Sequence, residues 1–556
     1  MQTVPSSSAR PRSWRTGILA STLLAATAFT TVPVLANNSD DNNNGPVVKT
    51  AEGPVRGLTK NGVSIFLGIP YAAPPVGKLR WQPPQAVKKW KDTYDATDYK
   101  SSCPQVTELG AFAGPASVNE DCLYLSVFTS NKKNGKKPIL VWIHGGGNVD
   151  GESNDYDASK LATGGPNGKD TVVVVINYRL GLFGFLSHAA LNNEGHLWGN
   201  YGILDIQAVL RWVQRNAAAF GGDPTKVALG GQSAGAQDTG ANQLSPLAAG
   251  LFNRAIYESA PLASLANATT ALTNGNNFAT AAGCTGSNVA KCLRDLPASR
   301  ILQLQGTPNA NGPYITGPFV DGTIVPIQPE AAWTTGRFNK MPTMGGAVKD
   351  EGNFSIGITE YFSGPPQVPM TADQYNARVT GATAQQYPLS NYGGNTQLAY
   401  DRVSTDRGKC SGLHVLKEWG PQMPTYGYDF TYQNAPYYFP KMPGFQALAA
   451  HTIDIQFLFQ NWHGGSLGVN LDQTTGVPRE IQGAEVGLSD SLVAAWTNFA
   501  ANGNPNGSGN SPWPKVAGSS IQFLNENTPL ATESEAAYRS AYNCDFWDTQ
   551  IVYPTM

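Results

Sequence analysis

The sequence predicts an α/β fold in which a large, mostly parallel β-sheet is flanked by helices. Residues 138–143 form a short, wholly apolar run and residues 171–176 a continuous, Val-rich and β-branched one, and both have the composition of strands that are buried on both faces of a sheet. Apolar side chains recur at helical spacing over residues 203–213, a further strand is predicted at 226–229, and a late amphipathic helix at 484–499. Strand, helix and strand in alternation are typical of a parallel sheet.

The composition is that of a globular enzyme with many loops. Hydrophobic residues make up 41% and charged residues 14% of the 556 residues, with 60 Gly and 39 Pro. Because the formal net charge is only −2, no strong field would attract nucleic acid or an anionic membrane surface. We therefore expect no nucleic-acid partner.

The first 36 residues are predicted to be a signal peptide. Three arginines lie among residues 10–15, an apolar and small-residue stretch covers 18–29, and a small-x-small cleavage site ends at Ala36. The apolar stretch is too short and too rich in threonine to span a bilayer well, and no later segment reaches transmembrane length. We therefore expect a secreted or periplasmic protein without stable membrane insertion.

Six cysteines fit an exported chain, because disulfides persist in oxidising compartments. Their even number permits complete pairing, although it allows about fifteen connectivities. None of them has the spacing with histidine that a structural zinc site requires.

The strongest local motif is G-x-S-x-G at residues 231–235, directly after a predicted strand. In α/β-hydrolases this motif places the serine on a sharp turn between strand and helix, with its hydroxyl exposed. Glycines flank the serine because the two backbones approach closely there. A glycine-rich turn that contains serine by chance is the alternative, but the preceding strand favours Ser233 as a nucleophile.

A second motif, His-Gly-Gly-Gly at residues 144–147, follows the predicted strand at 138–143. In esterases such a loop donates backbone N–H groups to the oxyanion, together with the residue after the nucleophile, here Ala234. A phosphate-binding loop is the alternative. It is disfavoured because no Lys-Ser/Thr follows the glycines.

A serine nucleophile needs a histidine base. Three of the six histidines precede Ser233, whereas α/β-hydrolases order their catalytic triad as serine, acid and histidine. Of the other three, His414 falls in a predicted helix, where a structural role is favoured. Position along the chain favours His451 over His463 without excluding the latter.

The acid should lie between the serine and the histidine. Asp350 and Glu351 are adjacent at the end of a predicted strand. Either carboxylate could orient the imidazole and stabilise its charged form, so the residues alone do not choose between them.

Together these residues resemble the type-B carboxylesterase and cholinesterase-like family. The resemblance is dense from about residue 50 to 260 and sparser afterwards. The motifs that match in family order are residues 66–77 (FLGIPYAAPPVG), 120–125 (EDCLYL), 177–179 (NYR), 199–202 (GNYG), 220–224 (FGGDP) and the serine motif.

The resemblance implies a triad of Ser233, Glu351 and His451, with the histidine followed by a strand. It also implies an oxyanion hole and three disulfides, and buried ion pairs that hold the core and take no part in catalysis. The implied oxyanion donors are Gly146, Gly147 and Ala234; the disulfides are Cys103–Cys122, Cys284–Cys292 and Cys410–Cys544; the ion pairs are Arg80–Glu120 and Arg179–Asp205.

Two residues and one loop depart from the family pattern. Gln232 stands where the family usually has glutamate, and the loop between Cys103 and Cys122 has no tryptophan. Both departures argue against a cholinesterase, which uses negative charge and cation–π contact to hold quaternary ammonium. Asn148 stands where many relatives carry an aromatic residue, which predicts a more polar or more open pocket.

The expected function is hydrolysis of carboxylic esters through an acyl-enzyme intermediate, by one α/β-hydrolase catalytic domain over residues 37–556, with the acyl-chain preference left open. This chemistry requires no metal or organic cofactor.

A lipase is the main alternative. Its lid would have to come from the 103–122 loop, which offers few apolar residues, among them Val106, Leu109, Ala111, Phe112 and Val118. A non-catalytic binding protein is disfavoured because the triad is complete, and the oligomeric state stays open.

Overall fold

The computed structural model describes residues 45–106, 113–132, 135–260, 264–307, 313–460, 462–464, 468–507, 510–516, 522–525 and 531–553. The predicted signal peptide lies outside the described residues. From Gly45 onward the chain forms one compact unit. The strands are β1 Val47–Lys49, β2 Pro54–Arg56, β3 Leu58–Lys60, β4 Val63–Pro70, β5 Tyr94–Asp95, β6 Tyr124–Ser130, β7 Lys137–Ile143, β8 Val172–Ile176, β9 Gly222–Gln232, β10 Arg254–Glu258, β11 Ala266–Asn267, β12 Phe319–Val320, β13 Thr343–Val348, β14 Thr425–Phe430, β15 Gln522–Asn525 and β16 Ala531–Ser534.

Helices alternate with these strands along most of the chain. They are α1 Ser159–Thr163, α2 Gly181–Phe185, α3 Ala189–Asn192, α4 Tyr201–Asn216, α5 Ala234–Leu244, α6 Ala268–Ala281, α7 Val289–Asp295, α8 Ala298–Gln305, α9 Pro329–Thr335, α10 Asn353–Tyr361, α11 Ala372–Arg378, α12 Gly381–Gln386, α13 Thr396–Trp419, α14 Ile455–Leu458, α15 Ala484–Asn502, α16 Glu535–Ala541 and α17 Cys544–Gln550. In the part of the chain that the structure describes, no helix is long and apolar enough to cross a bilayer.

A sheet of eleven strands lies at the centre, in the order β16-β15-β14-β13-β10-β9-β7-β8-β6-β4-β3. The strands from β8 to β15 in this order are parallel to their neighbours. Antiparallel pairing is confined to the two edges, where β6, β4 and β3 follow β8 and where β16 follows β15. The predicted α/β fold with a large, mostly parallel sheet is confirmed.

Both faces of this sheet are apolar, because successive side chains of a strand point to opposite sides. Val141 and Val174 belong to one buried cluster, which also contains the apolar face of α4. Leu140 and Val173, one residue earlier in each strand, belong to a second cluster with α1 and α15. The central strands are therefore apolar throughout, and helices cover them on both faces.

The structure confirms the predicted strands at 138–143, 171–176 and 226–229 as β7, β8 and part of β9, and the helices at 203–213 and 484–499 as α4 and α15. The strand expected after His451 is wrong. Residues 451–454 form a turn that leads into α14, and the amide of Ile455 donates to the carbonyl of Thr452. A short buried apolar run fits a helix as well as a strand, so its pattern could not separate the two.

All six cysteines are paired as the resemblance implied, in the disulfides Cys103–Cys122, Cys284–Cys292 and Cys410–Cys544. The two implied ion pairs are also present. Arg179 Nε and Nη2 each lie 2.7 Å from a carboxylate oxygen of the fully buried Asp205. Arg80 Nε lies 2.7 Å from Glu120 Oε2, and the same guanidinium donates to the carbonyl of Leu296. Both pairs join segments that are distant in the chain.

Candidate active site

Ser233 lies on a sharp turn between β9 and α5. Its backbone has φ 57° and ψ −122°, a conformation that residues other than glycine rarely adopt. The amide of Ser233 donates to the carbonyl of Glu258 on the neighbouring β10, at 2.8 Å. The strained turn is thereby fixed to the sheet, as the G-x-S-x-G motif predicts.

The two glycines of the motif are sterically required. A Cβ on Gly235 would lie 2.1 Å from the carbonyl oxygen of Ile143, the last residue of β7. A Cβ on Gly231 would lie 2.6 Å from the same oxygen. Because only glycine fits at both positions, α5 can begin directly against the end of β7.

The glycine loop that follows β7 lies beside the serine turn. A Cβ on Gly145 would be 3.2 Å from the Cβ of Ser233, and Gly146 and Gly147 share a cavity wall with Ser233. Ala234 is the first residue of α5, and the first amides of a helix have no partner within the helix. The proposed oxyanion donors are thus adjacent to the proposed nucleophile.

Glu351 and His451 are in direct contact. Glu351 follows β13, and His451 lies in the turn before α14. Glu351 Oε2 and His451 Nδ1 are 2.5 Å apart, and Glu351 Oε1 accepts from the amide of Val348 at 3.1 Å. The carboxylate therefore fixes the imidazole with a proton on Nδ1.

Electrostatics favour the ionised form of this pair. Burial lowers the pKa of His451, but the charge of Glu351 and its hydrogen bond raise it by more, so the pKa of His451 lies above the usual 6.5. Burial by itself would raise the pKa of Glu351. The charge of His451 and its hydrogen bond outweigh burial, so the pKa of Glu351 is lowered.

The other ring nitrogen of His451 contacts a residue that the sequence singled out for a different reason. Gln232 Nε2 lies 3.1 Å from His451 Nε2, so the neutral amide donates to the nitrogen that faces away from Glu351. Gln232 is 1% exposed and immediately precedes Ser233. Ser233 and His451 line the same cavity, while the hydrogen bond at Nε2 is made by Gln232.

The alternative candidates lie in other surroundings. Asp350 Oδ2 accepts from the Gln433 side chain at 2.7 Å and from the amide of Ala449 at 3.0 Å. His414 Nε2 is 3.0 Å from Glu330 on α9, and His463 lies near Asp155, whose pKa it lowers.

Two tyrosines that the sequence did not single out hold the turn that contains His451. The hydroxyl of Tyr437 donates to the carbonyl of His451 at 2.6 Å, and the hydroxyl of Tyr438 lies 2.8 Å from Thr452 Oγ1. Thr452 has a positive φ of 79°. The run Tyr-Tyr-Phe at 437–439 was the available signal, although adjacent aromatics usually indicate only a buried core.

A cavity of about 390 Å³ opens onto these groups. Its described wall combines aromatic rings with carboxyl groups, and the aromatic members are Tyr156, Phe354, Tyr438 and Trp462. Burial raises the pKa of Glu152 to about 7 and that of Asp155 to about 6, so near neutral pH Glu152 is partly protonated and Asp155 is mostly ionised.

The expectation that the Asn148 side chain makes the pocket more polar is wrong, while the alternative of a more open pocket stays a prediction. Asn148 is 1% exposed, and its side chain is directed at Tyr178 and Asp238 inside the protein. In the 103–122 loop, Leu109, Ala111 and Phe112 lie outside the described residues. Val106 packs on the core, and Val118 is 59% exposed.

A mostly parallel sheet with a serine on the sharp turn between strand and helix is the arrangement of the α/β-hydrolases. A model of the carboxylesterase family matches residues 44–547. The chain belongs to the carboxylesterase family, and the protein is a carboxylic ester hydrolase.

Proteins of known name resemble the chain over most of its length. Liver carboxylesterase 1 of Oryctolagus cuniculus is 32% identical over 84% of this chain and 87% of its own. Fumonisin B1 esterase of Sphingopyxis macrogoltabida is 33% identical over 92% of both chains. Acetylcholinesterase of Bungarus fasciatus is 31% identical over 90% of this chain and 86% of its own.

The first prediction concerns pH. If neutral His451 is the base, kcat/KM for ester hydrolysis falls as the pH drops through the pKa of His451, with a midpoint above 6.5. Glu351→Gln removes the charge that raises this pKa, so the midpoint moves to lower pH while kcat falls by up to about 10⁴-fold. Asp350→Asn alters the adjacent carboxyl and leaves the midpoint in place. An unchanged midpoint in Glu351→Gln contradicts the assignment.

The second prediction concerns Gln232. Gln232→Glu puts a carboxylate beside His451 Nε2, which stabilises the imidazolium and moves the acidic midpoint of kcat/KM to higher pH than in the wild type. Gln232→Met, which adds no charge, should shift it less. A pH–rate profile in which Gln232→Glu matches the wild type, or has a lower midpoint, rules out the predicted coupling.

Proposed function

We propose that the protein is an exported serine carboxylesterase with Ser233 as nucleophile, His451 as base and acid, and Glu351 as the group that orients His451. The contact between Glu351 Oε2 and His451 Nδ1, in the wall of the cavity that also contains Ser233, is the observation that carries the proposal. A histidine that is oriented by a carboxylate and shares a cavity with a serine is the constellation required for acyl transfer.

In the first step Ser233 Oγ attacks the ester carbonyl carbon while its proton passes to His451 Nε2. The carbonyl oxygen becomes an oxyanion, which the amides of Gly146, Gly147 and Ala234 stabilise. The carbon–oxygen bond to the alcohol then breaks, and His451 returns the proton to the departing alkoxide. The products are an acyl-enzyme and a free alcohol.

In the second step water takes the place of the alcohol. His451 removes a proton from water as its oxygen attacks the acyl carbon, and the same amides hold the second oxyanion. His451 then protonates Ser233 Oγ, which releases the carboxylic acid and restores the enzyme.

The base must change its hydrogen-bond partner before the first step. In this structure Nε2 of His451 accepts from Gln232, and this lone pair has to take the Ser233 hydroxyl instead. A neutral amide makes that exchange less costly than a charged partner would, because hydrogen bonds to charged groups are about twice as strong.

The cavity supports small, uncharged esters as substrates. Its volume of about 390 Å³ lies near the lower end of the roughly 300–1,000 Å³ that ligand pockets usually occupy. The aromatic rings of Tyr156, Phe354 and Trp462 offer apolar surface, while the ionised fractions of Glu152 and Asp155 disfavour anionic acyl groups. The long acyl chains of lipase substrates would exceed this space.

Export is supported by the signal-peptide pattern of residues 1–36 and by the three disulfides, which form and persist in oxidising compartments. The mature enzyme would begin near residue 37 and consist of one catalytic domain over 37–556.

The third prediction tests nucleophile and substrate together with p-nitrophenyl esters of increasing acyl length. Ser233→Ala should reduce kcat by about 10⁴- to 10⁶-fold because no other group can form the acyl-enzyme. In the wild type, kcat/KM should be highest for short acyl chains.

Two outcomes would contradict this account. Wild-type turnover by Ser233→Ala would show that Ser233 is not the nucleophile. A steep preference for long chains, with a jump in activity above the solubility limit of the substrate, would establish a lipase instead.

A further inference from the structure

We infer that Asn148, Tyr178 and Asp238 act as positioning residues that hold the oxyanion loop, residues 144–148, in its working shape against the nucleophile helix α5. We call these three residues the support cluster. The inference rests on the proposed function, since it takes Gly146 and Gly147 as oxyanion donors.

The oxyanion loop does not have the conformation of a regular element. Gly146, Gly147 and Asn148 have successive φ angles of 107°, 60° and 61°. The amides of Val149 and Asp150 both donate to the carbonyl of Gly146, which closes a tight turn. Glycine adopts these angles without strain, but its flexible backbone does not hold one conformation by itself, so contacts outside the loop must supply the restraint.

Asn148 supplies that restraint from the end of the loop. Its Nδ2 lies 3.4 Å from Asp238 Oδ1, and its Oδ1 accepts from the Tyr178 hydroxyl at 3.1 Å. Its carbonyl accepts from the amide of Gly181 at 2.6 Å. Of the residues other than glycine, asparagine is among those that best tolerate a positive φ, so this position suits both the backbone and the side-chain contacts.

Tyr178 reaches the beginning of the loop as well. Its hydroxyl lies 3.2 Å from the carbonyl of His144, and its ring lies 4.7 Å from the His144 ring, centre to centre. Tyr178 follows β8 and is fully buried. One hydroxyl therefore touches the first and the last residue of the loop.

Asp238 connects the loop to the helix that carries the catalytic chemistry. It is fully buried on α5, about one turn after Ala234, where the third proposed donor lies. A displacement of Asn148 relative to Asp238 would move Gly146 and Gly147 relative to Ala234. Because the three donors must point at one oxyanion, the distance between Asn148 and Asp238 matters for the reaction.

The support cluster is largely uncharged near neutral pH. Burial raises the pKa of Asp238 to about 8, although hydrogen bonds from Asn148 and Tyr178 lower it somewhat. Burial lowers the pKa of the neighbouring His144 to about 4, so that ring is neutral. A neutral carboxyl acts here as a hydrogen-bonding group of fixed shape, and an amide of the same shape should replace it.

The test compares kcat and KM for p-nitrophenyl acetate in Asn148→Ala, Asp238→Ala, Tyr178→Phe and Asp238→Asn. Loss of one oxyanion donor typically lowers kcat by about 10²–10³-fold, so its displacement should lower kcat by about 10- to 100-fold with little change in KM. The affinity of a trifluoromethyl ketone, whose adduct with Ser233 mimics the tetrahedral intermediate, should fall by the same factor. Asp238→Asn should retain most of the wild-type kcat.

Ser245→Ala is the matched control, because it removes a buried hydrogen bond to Gln207 directly after the other end of α5. It should leave kcat and the affinity of the ketone unchanged even if it lowers the thermal midpoint. Should Asp238→Ala fail to fold, Asn148→Ala and Tyr178→Phe carry the same test. Wild-type kcat in these variants, or an Asp238→Asn variant as slow as Asp238→Ala, overturns the inference.

Ser233→Ala separates this failure from that of the proposed function. If Ser233→Ala is inactive while Asn148→Ala and Tyr178→Phe turn over like the wild type, only the role of the support cluster is wrong. If Ser233→Ala keeps wild-type turnover, the proposed function itself fails.

Discussion

The close approach of α5 to the end of β7 is the constraint on which the whole site depends. The backbone of Gly235 lies so near the carbonyl of Ile143 that no side chain fits between them. This contact places Ser233 beside the glycine loop that continues from β7, and it gives the amide of Ala234 its position at the start of a helix. The parallel sheet makes the approach possible, because neighbouring parallel strands end at the same edge and their following turns meet there.

The proposed acid and base reach the same edge from segments far along the chain. β13 delivers Glu351, and the turn anchored by Tyr437 delivers His451, so a hundred residues of intervening sequence close onto one contact of 2.5 Å. The pair also experiences the charges of Lys409 and Asp454. Gln232 caps the far nitrogen of His451, and the support cluster holds the oxyanion loop behind Ser233.

Local patterns in the sequence predicted much of this arrangement. β7 and β8 are buried on both faces of the sheet, and α4 covers one of these faces. Burial of this kind requires apolar side chains, so the apolar runs and the helical spacing could be identified from the sequence. The serine and glycine motifs were also local, because their steric demands act within a few residues.

The choice between Asp350 and Glu351 was not local: it depends on which carboxylate faces His451, and only the resemblance to a family pointed to Glu351. The inward direction of Asn148 and the contact of Gln232 with His451 depend on side chains packed from other elements, which no spacing along the chain encodes. The strand predicted after His451 was wrong for a related reason, since a helix and a strand bury such a short apolar run equally well.

A crystal structure of the enzyme after reaction with a small phosphonate ester tests the central claim most directly, because the adduct mimics the tetrahedral intermediate. The account predicts a covalent bond from phosphorus to Ser233 Oγ, with the phosphoryl oxygen about 2.7–3.1 Å from the amides of Gly146, Gly147 and Ala234. His451 Nε2 would then be turned from Gln232 toward Ser233 Oγ, with Nδ1 still on Glu351. An adduct on another residue, or a phosphoryl oxygen that points away from these three amides, would contradict it.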